Sequence, residues 1–149
     1  MISKKGQFIN MKSQRGIAIL EVLMILVVLG VIAFITVPKF QTMLYQSRES
    51  HTKSHLGDLR GALAIYYSDN FGRYPSDEGT PETRLSAAIV PQYLKRVPSV
   101  ELRHLYGHDK NTVQDRFNDE GDWMYSMVNG FVAVNSSKAD TKGEPISSW

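Results

Sequence analysis

One carboxylate stands inside a long apolar run near the start of the chain. Residues 17–37 are almost wholly apolar, and Glu21 is the one ionisable side chain among them. A charged side chain within a bilayer costs about 2.5–3.5 kcal/mol on insertion scales, so a carboxylate there indicates a functional site. The chemistry open to Glu21 is pairing with a buried cation, because pairing relieves two desolvated charges together.

Three further groups of side chains could bind a metal ion, two histidine pairs and one acidic cluster. His51 and His55 are four residues apart on a predicted helix, and His104 and His108 repeat that spacing in a predicted loop. Neither pair has a third ligand nearby, so solvated surface histidines are the commoner explanation. Oxygen-rich loops suit Ca²⁺, although acidic loops are more often simply solvated. The candidate calcium ligands are Asp119, Glu120, Asp122 and Asp140.

No arrangement typical of an enzyme accompanies these residues. The chain has no cysteine, which excludes thiol chemistry and disulfides, and it has neither a Gly-x-Ser-x-Gly motif nor a phosphate-binding loop. Its aromatic side chains could stack on single-stranded DNA, but no basic groove accompanies them, so core packing is the better explanation. We therefore expect neither catalysis nor nucleic-acid binding.

The apolar run is long enough to be a membrane-spanning helix. A bilayer core of roughly 30 Å needs about 20 apolar residues. Four basic residues precede the run and would hold the N-terminus in the cytoplasm: Lys4, Lys5, Lys12 and Arg15. A secretory signal would need a shorter apolar core with a small-residue cleavage site. A plain anchor explains the length and the charges, but it explains neither Glu21 nor the Gly16 that precedes Ile17.

Residues 15–21, Arg-Gly-Ile-Ala-Ile-Leu-Glu, together with the apolar helix after them, resemble the class III signal of type IV pilins and type II secretion pseudopilins. The resemblance implies cleavage by a prepilin peptidase between Gly16 and Ile17, N-methylation of Ile17, and a role for Glu21 in registering subunits during assembly. Gly30 and Pro38 match positions of helix flexibility and kinking. Ile17 departs from the pattern, because the first mature residue of the family is usually Phe.

The same resemblance implies where the chain is located before and after it assembles. The precursor would be a single-pass inner-membrane protein with its head in the periplasm, and an inner-membrane platform with an ATPase would assemble it into a homo-oligomeric helical filament. That filament would be an extracellular type IV pilus or, as an alternative, a periplasmic type II secretion pseudopilus. A membrane-anchored binding module, such as a DNA-uptake minor pilin, is a further alternative. Major pseudopilins also carry calcium in their C-terminal loops, so the resemblance supports the acidic cluster as a candidate calcium site.

The sequence divides into four predicted parts. They are a leader (1–16), a transmembrane and filament-core helix (17–38), an amphipathic continuation of that helix (39–70) and a globular head (71–149). Met11 is an alternative start to Met1. The leader holds four of the seventeen Lys and Arg residues and none of the fifteen acidic ones, so its removal leaves a net charge of −2.

Periodicity predicts how the head is built. Apolar residues recur at helical spacing over 56–66, and a short helix is expected over 84–90. Residues 123–128 and 131–135 are β-prone runs around Asn129-Gly130, which predicts a hairpin with a two-residue type I′ turn. That turn would place Met127 opposite Val132. A terminal Trp149 in a polar tail is expected to fold back onto the head. We therefore predict a pilin-like α+β fold, in which a long N-terminal helix packs on a small antiparallel sheet.

Overall fold

The computed structural model of the chain describes residues 12–75 and 81–149. The first eleven residues of the predicted leader lie outside this part. Three α-helices, three strands and a final 3₁₀ turn follow in chain order: α1 (Lys12–Asp69), α2 (Pro81–Ile89), α3 (Arg103–Tyr106), β1 (Val113–Gln114), β2 (Trp123–Ser126), β3 (Phe131–Val134) and the turn Ile146–Ser148. The predicted α+β fold with one long N-terminal helix is confirmed.

The chain divides into two compact units, one ending at Gln41 and the other running from Thr42 to Trp149. In the first unit every side chain described from Ala18 onward is exposed. Within the described part of the chain, α1 is the one helix long and apolar enough to cross a membrane, judged by length and composition. It continues through Pro38, and the predicted kink there stays a prediction.

The second unit, here called the head, is built around one stripe of α1. Leu56, Leu59 and Leu63 are buried at the spacing that brings residues to one helix face. Full burial of each such side chain contributes about 1.5–3 kcal/mol. They pack in one cluster with residues from α2, the segment before α3, the three strands and the final turn: Leu85, Ile89, Val100, Leu102, Val113, Trp123, Tyr125, Val132, Val134 and Ile146.

The helix α2 begins three residues before the predicted start and ends one residue before the predicted end. Proline is favoured at the first position of a helix, where its missing N–H has no partner to lose, and α2 begins at Pro81. Leu85 and Ile89, one turn apart, are fully buried in the core. The helix ends at Ile89 because Pro91 disfavours helical geometry at the residue before it.

The sheet is mixed rather than wholly antiparallel, which corrects one detail of the prediction. β2 pairs with β3 in antiparallel orientation, and β1 pairs with β2 in parallel. The region between α2 and β2, where the sequence predicts a loop around His104 and His108, contains α3 and β1. A strand of two residues leaves no alternating pattern in the sequence, so only its pairing with β2 defines it.

The hairpin register is also corrected by the structure. Tyr125 pairs with Val132 and Trp123 with Val134, a shift of two residues from the predicted pairing. Residues 127–130 form the turn, and Gly130 has positive φ whereas Asn129 does not. A type I′ turn needs positive φ at both central residues, so the predicted two-residue type I′ turn is excluded. A shift of two keeps each side chain on its face, which explains why the predicted core face is right.

Candidate functional site

The predicted processing and assembly residues lie at the start of α1. Gly16 and Ile17 fall within the helix, and Glu21 follows Ile17 by one turn. Glu21 and the apolar side chains beside it are exposed. Among the described residues Glu21 has no hydrogen bond or ion pair. No described residue covers this apolar surface or pairs with its carboxylate, and so large an apolar surface is unfavourable in water.

Gly30 and Pro38, the residues predicted to make the helix flexible or kinked, both lie inside α1. A Cβ atom placed on Gly30 would meet nothing within 4 Å. Pro38 lies inside α1, which continues on both sides of it. Their proposed roles in bending the helix stay predictions.

Asp119, one of the candidate calcium ligands, is already committed to protein donors. Its Oδ1 accepts hydrogen bonds from the Tyr106 hydroxyl at 2.8 Å and the Ser137 amide at 2.6 Å, and its Oδ2 accepts from the Ser137 hydroxyl at 2.7 Å. The Ser137 bonds, with the Tyr106 bond after them, hold the pKa of Asp119 below its usual range. Burial raises the pKa of Tyr106 to about 12.

The other candidate calcium ligands point to different partners. Glu120 pairs with Lys110 at 2.7 Å. Asp122 is fully buried, and its Oδ2 accepts from the Thr112 hydroxyl while its Oδ1 has no partner. Across the described residues, no group of three or more His, Cys, Asp or Glu side chains is arranged to hold a metal ion. The calcium hypothesis therefore gains no geometric support.

Asp140 closes the C-terminal tail instead. Its Oδ1 accepts from the amides of Lys142 and Glu144, both at 2.9 Å, and its Oδ2 lies 3.3 Å from the Lys53 ammonium on α1. Burial opposes its ionisation, but these amides and Lys53 outweigh burial and hold its pKa below the usual range.

The histidines that were candidate zinc ligands have separate contacts. His55 Nδ1 donates to the Ser99 carbonyl at 2.8 Å, since a carbonyl oxygen can only accept. His51 Nδ1 lies 3.5 Å from Glu101.

His104 belongs to a buried polar cluster that the sequence analysis missed. Its Nε2 lies 3.2 Å from Glu49 Oε1 and its ring stacks on Tyr45 at 4.7 Å. Glu49 also accepts from the Thr141 amide at 3.0 Å and the Thr141 hydroxyl at 2.6 Å. The cluster therefore joins α1, α3 and the C-terminal tail. Glu49 and Thr52 continue the buried stripe of α1 backwards at helical spacing, and this signal could have revealed them.

Arg60 makes a second junction between α1 and the rest of the head. Its guanidinium donates to the Val132 carbonyl at 2.9 and 3.2 Å and to the Trp149 carbonyl at 2.7 Å. Trp149 packs on the core, and its ring lies 4.4 Å from the Lys53 ammonium. The prediction that Trp149 folds back onto the head is confirmed.

Comparison with known sequences finds relatives named as secretion-system and fimbrial proteins. The chain is 33% identical over 88 residues to the type II secretion system core protein G of Klebsiella pneumoniae, a match that covers 59% of this chain and 62% of that protein. Its identity to core protein G of Pectobacterium carotovorum subsp. carotovorum is 37% over 94 residues, covering 57% and 60%. Its identity to the fimbrial protein EcpC of Eikenella corrodens is 27% over 84 residues, covering 56% and 53%.

The chain thus spans between half and two thirds of the length of these relatives. No family model matches it, and no solved structure does. The exposed apolar helix, the small α+β head and these relatives together confirm the resemblance that residues 15–21 predict: the chain is similar to type II secretion pseudopilins and to a fimbrial protein.

Proposed function

We propose that the chain is a subunit of a pilin-like filament held together by its N-terminal helix. The observation that carries this proposal is the exposed apolar surface of residues 18–37, which is interrupted by the single carboxylate of Glu21. Water is a poor environment for so large a surface. A membrane accepts it before assembly, and the packed helices of neighbouring subunits accept it afterwards.

Processing would create the partner that Glu21 lacks. Cleavage after Gly16 by a prepilin peptidase would leave a positively charged amino group on Ile17, which methylation keeps charged. An amine and a carboxylate buried between two subunits relieve each other's desolvation. An incoming subunit would therefore dock in the register that pairs its Ile17 amine with the Glu21 of a neighbour.

The filament is a type II secretion pseudopilus or a surface type IV pilus. Core protein G from several genera is among the relatives, which favours a pseudopilus. The fimbrial protein supports a surface pilus as the second candidate. In either case the precursor would wait in the inner membrane with its head in the periplasm until an ATPase-driven platform extracts it. The role is structural rather than catalytic.

Mass spectrometry of the N-terminus tests the proposal, applied to sheared surface material and to washed membranes of the native host. A chain that begins at methylated Ile17 in the sheared fraction identifies a surface pilus subunit. The same processed chain confined to the membranes favours a pseudopilin or a minor subunit. If Met1 or Met11 remains attached in both fractions, the filament function is refuted.

A further inference from the structure

We propose that the head closes its C-terminal tail, residues 140–149, with a cation of its own, the ammonium group of Lys53, rather than with the calcium ion that the resemblance to pseudopilins implies. Lys53 lies on the part of α1 that belongs to the head. The inference goes beyond the proposed filament function, because it concerns what stabilises the head and holds whether or not the chain assembles.

Three side chains of the tail lie around the Lys53 ammonium. Asp140 Oδ2 accepts a hydrogen bond from it at 3.3 Å. Glu144 Oε2 lies 3.6 Å from it, and the centroid of the Trp149 ring lies 4.4 Å from it. An ammonium has three donors, and an aromatic face attracts a cation within about 6 Å of the ring centroid. One positive charge therefore contacts the beginning, the middle and the end of the tail.

Asp140 needs this positive charge because its carboxylate is buried. Its side chain is 2% exposed, whereas that of Lys53 is 38% exposed, and a buried carboxylate is costly unless it is paired. Its Oδ1 accepts from the amides of Lys142 and Glu144, so both oxygens of Asp140 already have protein donors. The ammonium would have to leave before Oδ2 could bind Ca²⁺, which takes about six to eight oxygen ligands.

A second charge of α1 binds the tail beside Lys53. Glu49 lies one turn earlier on the helix, and it accepts from the amide and the hydroxyl of Thr141 at 3.0 and 2.6 Å. The cation of α1 thus contacts Asp140, and its carboxylate contacts the next residue of the tail. A shift of the tail by one turn would bring the like charges of Glu49 and Asp140 together. The two charges therefore fix the position of the tail along α1.

Lysine side chains also contact the other acidic loop, which contains Asp119 and Glu120. Glu120 pairs with Lys110 at 2.7 Å. The Lys138 ammonium lies 3.9 Å from the centroid of the Tyr106 ring, and the Tyr106 hydroxyl donates to Asp119. A cation that belongs to the chain cannot dissociate from it. The stability of the head should therefore not depend on the concentration of divalent ions.

Thermal unfolding of the full chain in a nonionic detergent tests whether a metal ion contributes. An ion that binds the folded head raises the unfolding midpoint by mass action. The midpoint is measured in EDTA and in about 10 mM CaCl₂, above the roughly 10⁻⁴–10⁻³ M dissociation constants of extracellular calcium modules. We expect the same midpoint in both. A rise in CaCl₂ that an equal concentration of MgCl₂ does not produce would overturn the inference.

Lys53→Met tests the ammonium itself, because it removes the charge and keeps an unbranched side chain. Asp140 is then buried without a cation, so the tail should open more often. We expect trypsin to cleave after the exposed Lys142 at least about tenfold faster in EDTA, since proteolysis follows the population of the open state. Mass spectrometry of the fragments over time measures the rate.

Lys110→Met is the matched control. It removes a lysine–carboxylate pair from the other acidic loop and should leave cleavage after Lys142 unchanged. Lys53→Arg keeps the positive charge and should cleave far more slowly than Lys53→Met. Unchanged cleavage of Lys53→Met, or equal acceleration by Lys110→Met, would overturn the inference. Cleavage of Lys53→Arg as fast as that of Lys53→Met would also overturn it, because the effect would then belong to the lysine stem rather than to its charge.

Discussion

The two notable glutamates of α1 differ in what surrounds them. Glu21 is exposed on an apolar helix, whereas Glu49 is buried and accepts three hydrogen bonds within the head. A buried carboxylate is tolerated only when its oxygens are satisfied, since an unpaired one pays its full desolvation cost. Glu49 therefore stabilises the folded head, whereas in the proposed filament Glu21 would take its partner from a neighbouring subunit.

The substitution Glu49→Ala should cost the head about 3–5 kcal/mol, because it leaves His104 and both Thr141 donors without their acceptor. Glu49→Gln should cost much less, about 1 kcal/mol, because the amide oxygen can still accept from His104 and the Thr141 amide while the amide N–H donates to the Thr141 hydroxyl in place of the third bond. Denaturant unfolding of the full chain in detergent, followed by the fluorescence of buried Trp123, measures both values.

Glu144→Ala is the matched control for Glu49. The Glu144 side chain is largely exposed and lies 3.6 Å from Lys53, so its removal should change the free energy of unfolding by less than about 0.5 kcal/mol. Equal losses from Glu49→Ala and Glu144→Ala would show that the buried cluster contributes nothing special.

At the scale of elements, the β2–β3 turn decides how the hairpin is built. Asn129 uses its side chain to accept the Phe131 amide at 3.1 Å, and Gly130 alone takes positive φ. Tyr74, from the segment after α1, lies directly against Gly130. The contact with Tyr74 thus requires a residue without a side chain at position 130.

Gly130 and Gly143 form a pair that separates backbone strain from steric overlap. Both have positive φ, but a Cβ on Gly130 would overlap the Tyr74 ring, while one on Gly143 would meet nothing within 4 Å. Gly143→Ala should therefore cost about 1 kcal/mol from φ alone, and Gly130→Ala should cost about 2–4 kcal/mol because overpacking adds to it. Thermal unfolding of the full chain in detergent measures the difference.

A Gly130→Ala, Tyr74→Ala double variant checks the assignment. If the overlap with the Tyr74 ring is responsible, Gly130→Ala should cost no more in the Tyr74→Ala background than Gly143→Ala costs in the unsubstituted chain. An undiminished cost in that background would contradict the packing explanation.

At the scale of the whole molecule, the chain consists of two units that differ in whether their apolar side chains are exposed or buried. The unit ending at Gln41 is an exposed apolar helix, and the head from Thr42 onward has a closed core of its own. The exposed apolar side chains of the first unit are unfavourable in water, whereas the head already buries its apolar side chains in its own core. Membrane insertion and assembly are thus expected to depend on residues 17–37, and stability on the head.

Glu21→Val should leave membrane insertion intact and reduce the amount of assembled filament at least tenfold, because the Ile17 amine of each subunit would be buried without a partner. Quantitative immunoblotting of sheared and membrane fractions measures both effects. Asp58→Val is the control, since Asp58 is an exposed carboxylate on the head part of the same helix. Normal filament amounts from Glu21→Val would exclude the proposed pairing.

Local patterns in the sequence determined a large part of this architecture. The apolar run of residues 17–37, the stripe of Leu56, Leu59 and Leu63, and the two β-prone runs each predicted an element that the structure contains. These signals succeed because helical and strand periodicity are properties of neighbouring residues. Residues 15–21 likewise indicated the resemblance that the relatives confirm.

Contacts between residues that are distant in the sequence were decided by the tertiary structure alone. The strand β1 exists only through its pairing with β2, Tyr74 lies against Gly130 of the β2–β3 turn, and Glu49 accepts from Thr141 at a separation of 92 residues. Two of the acidic residues that suggested calcium took Lys partners in the same way, Glu120 with Lys110 and Asp140 with Lys53. No local pattern encodes such contacts, because they form only when packing of the core brings remote segments together.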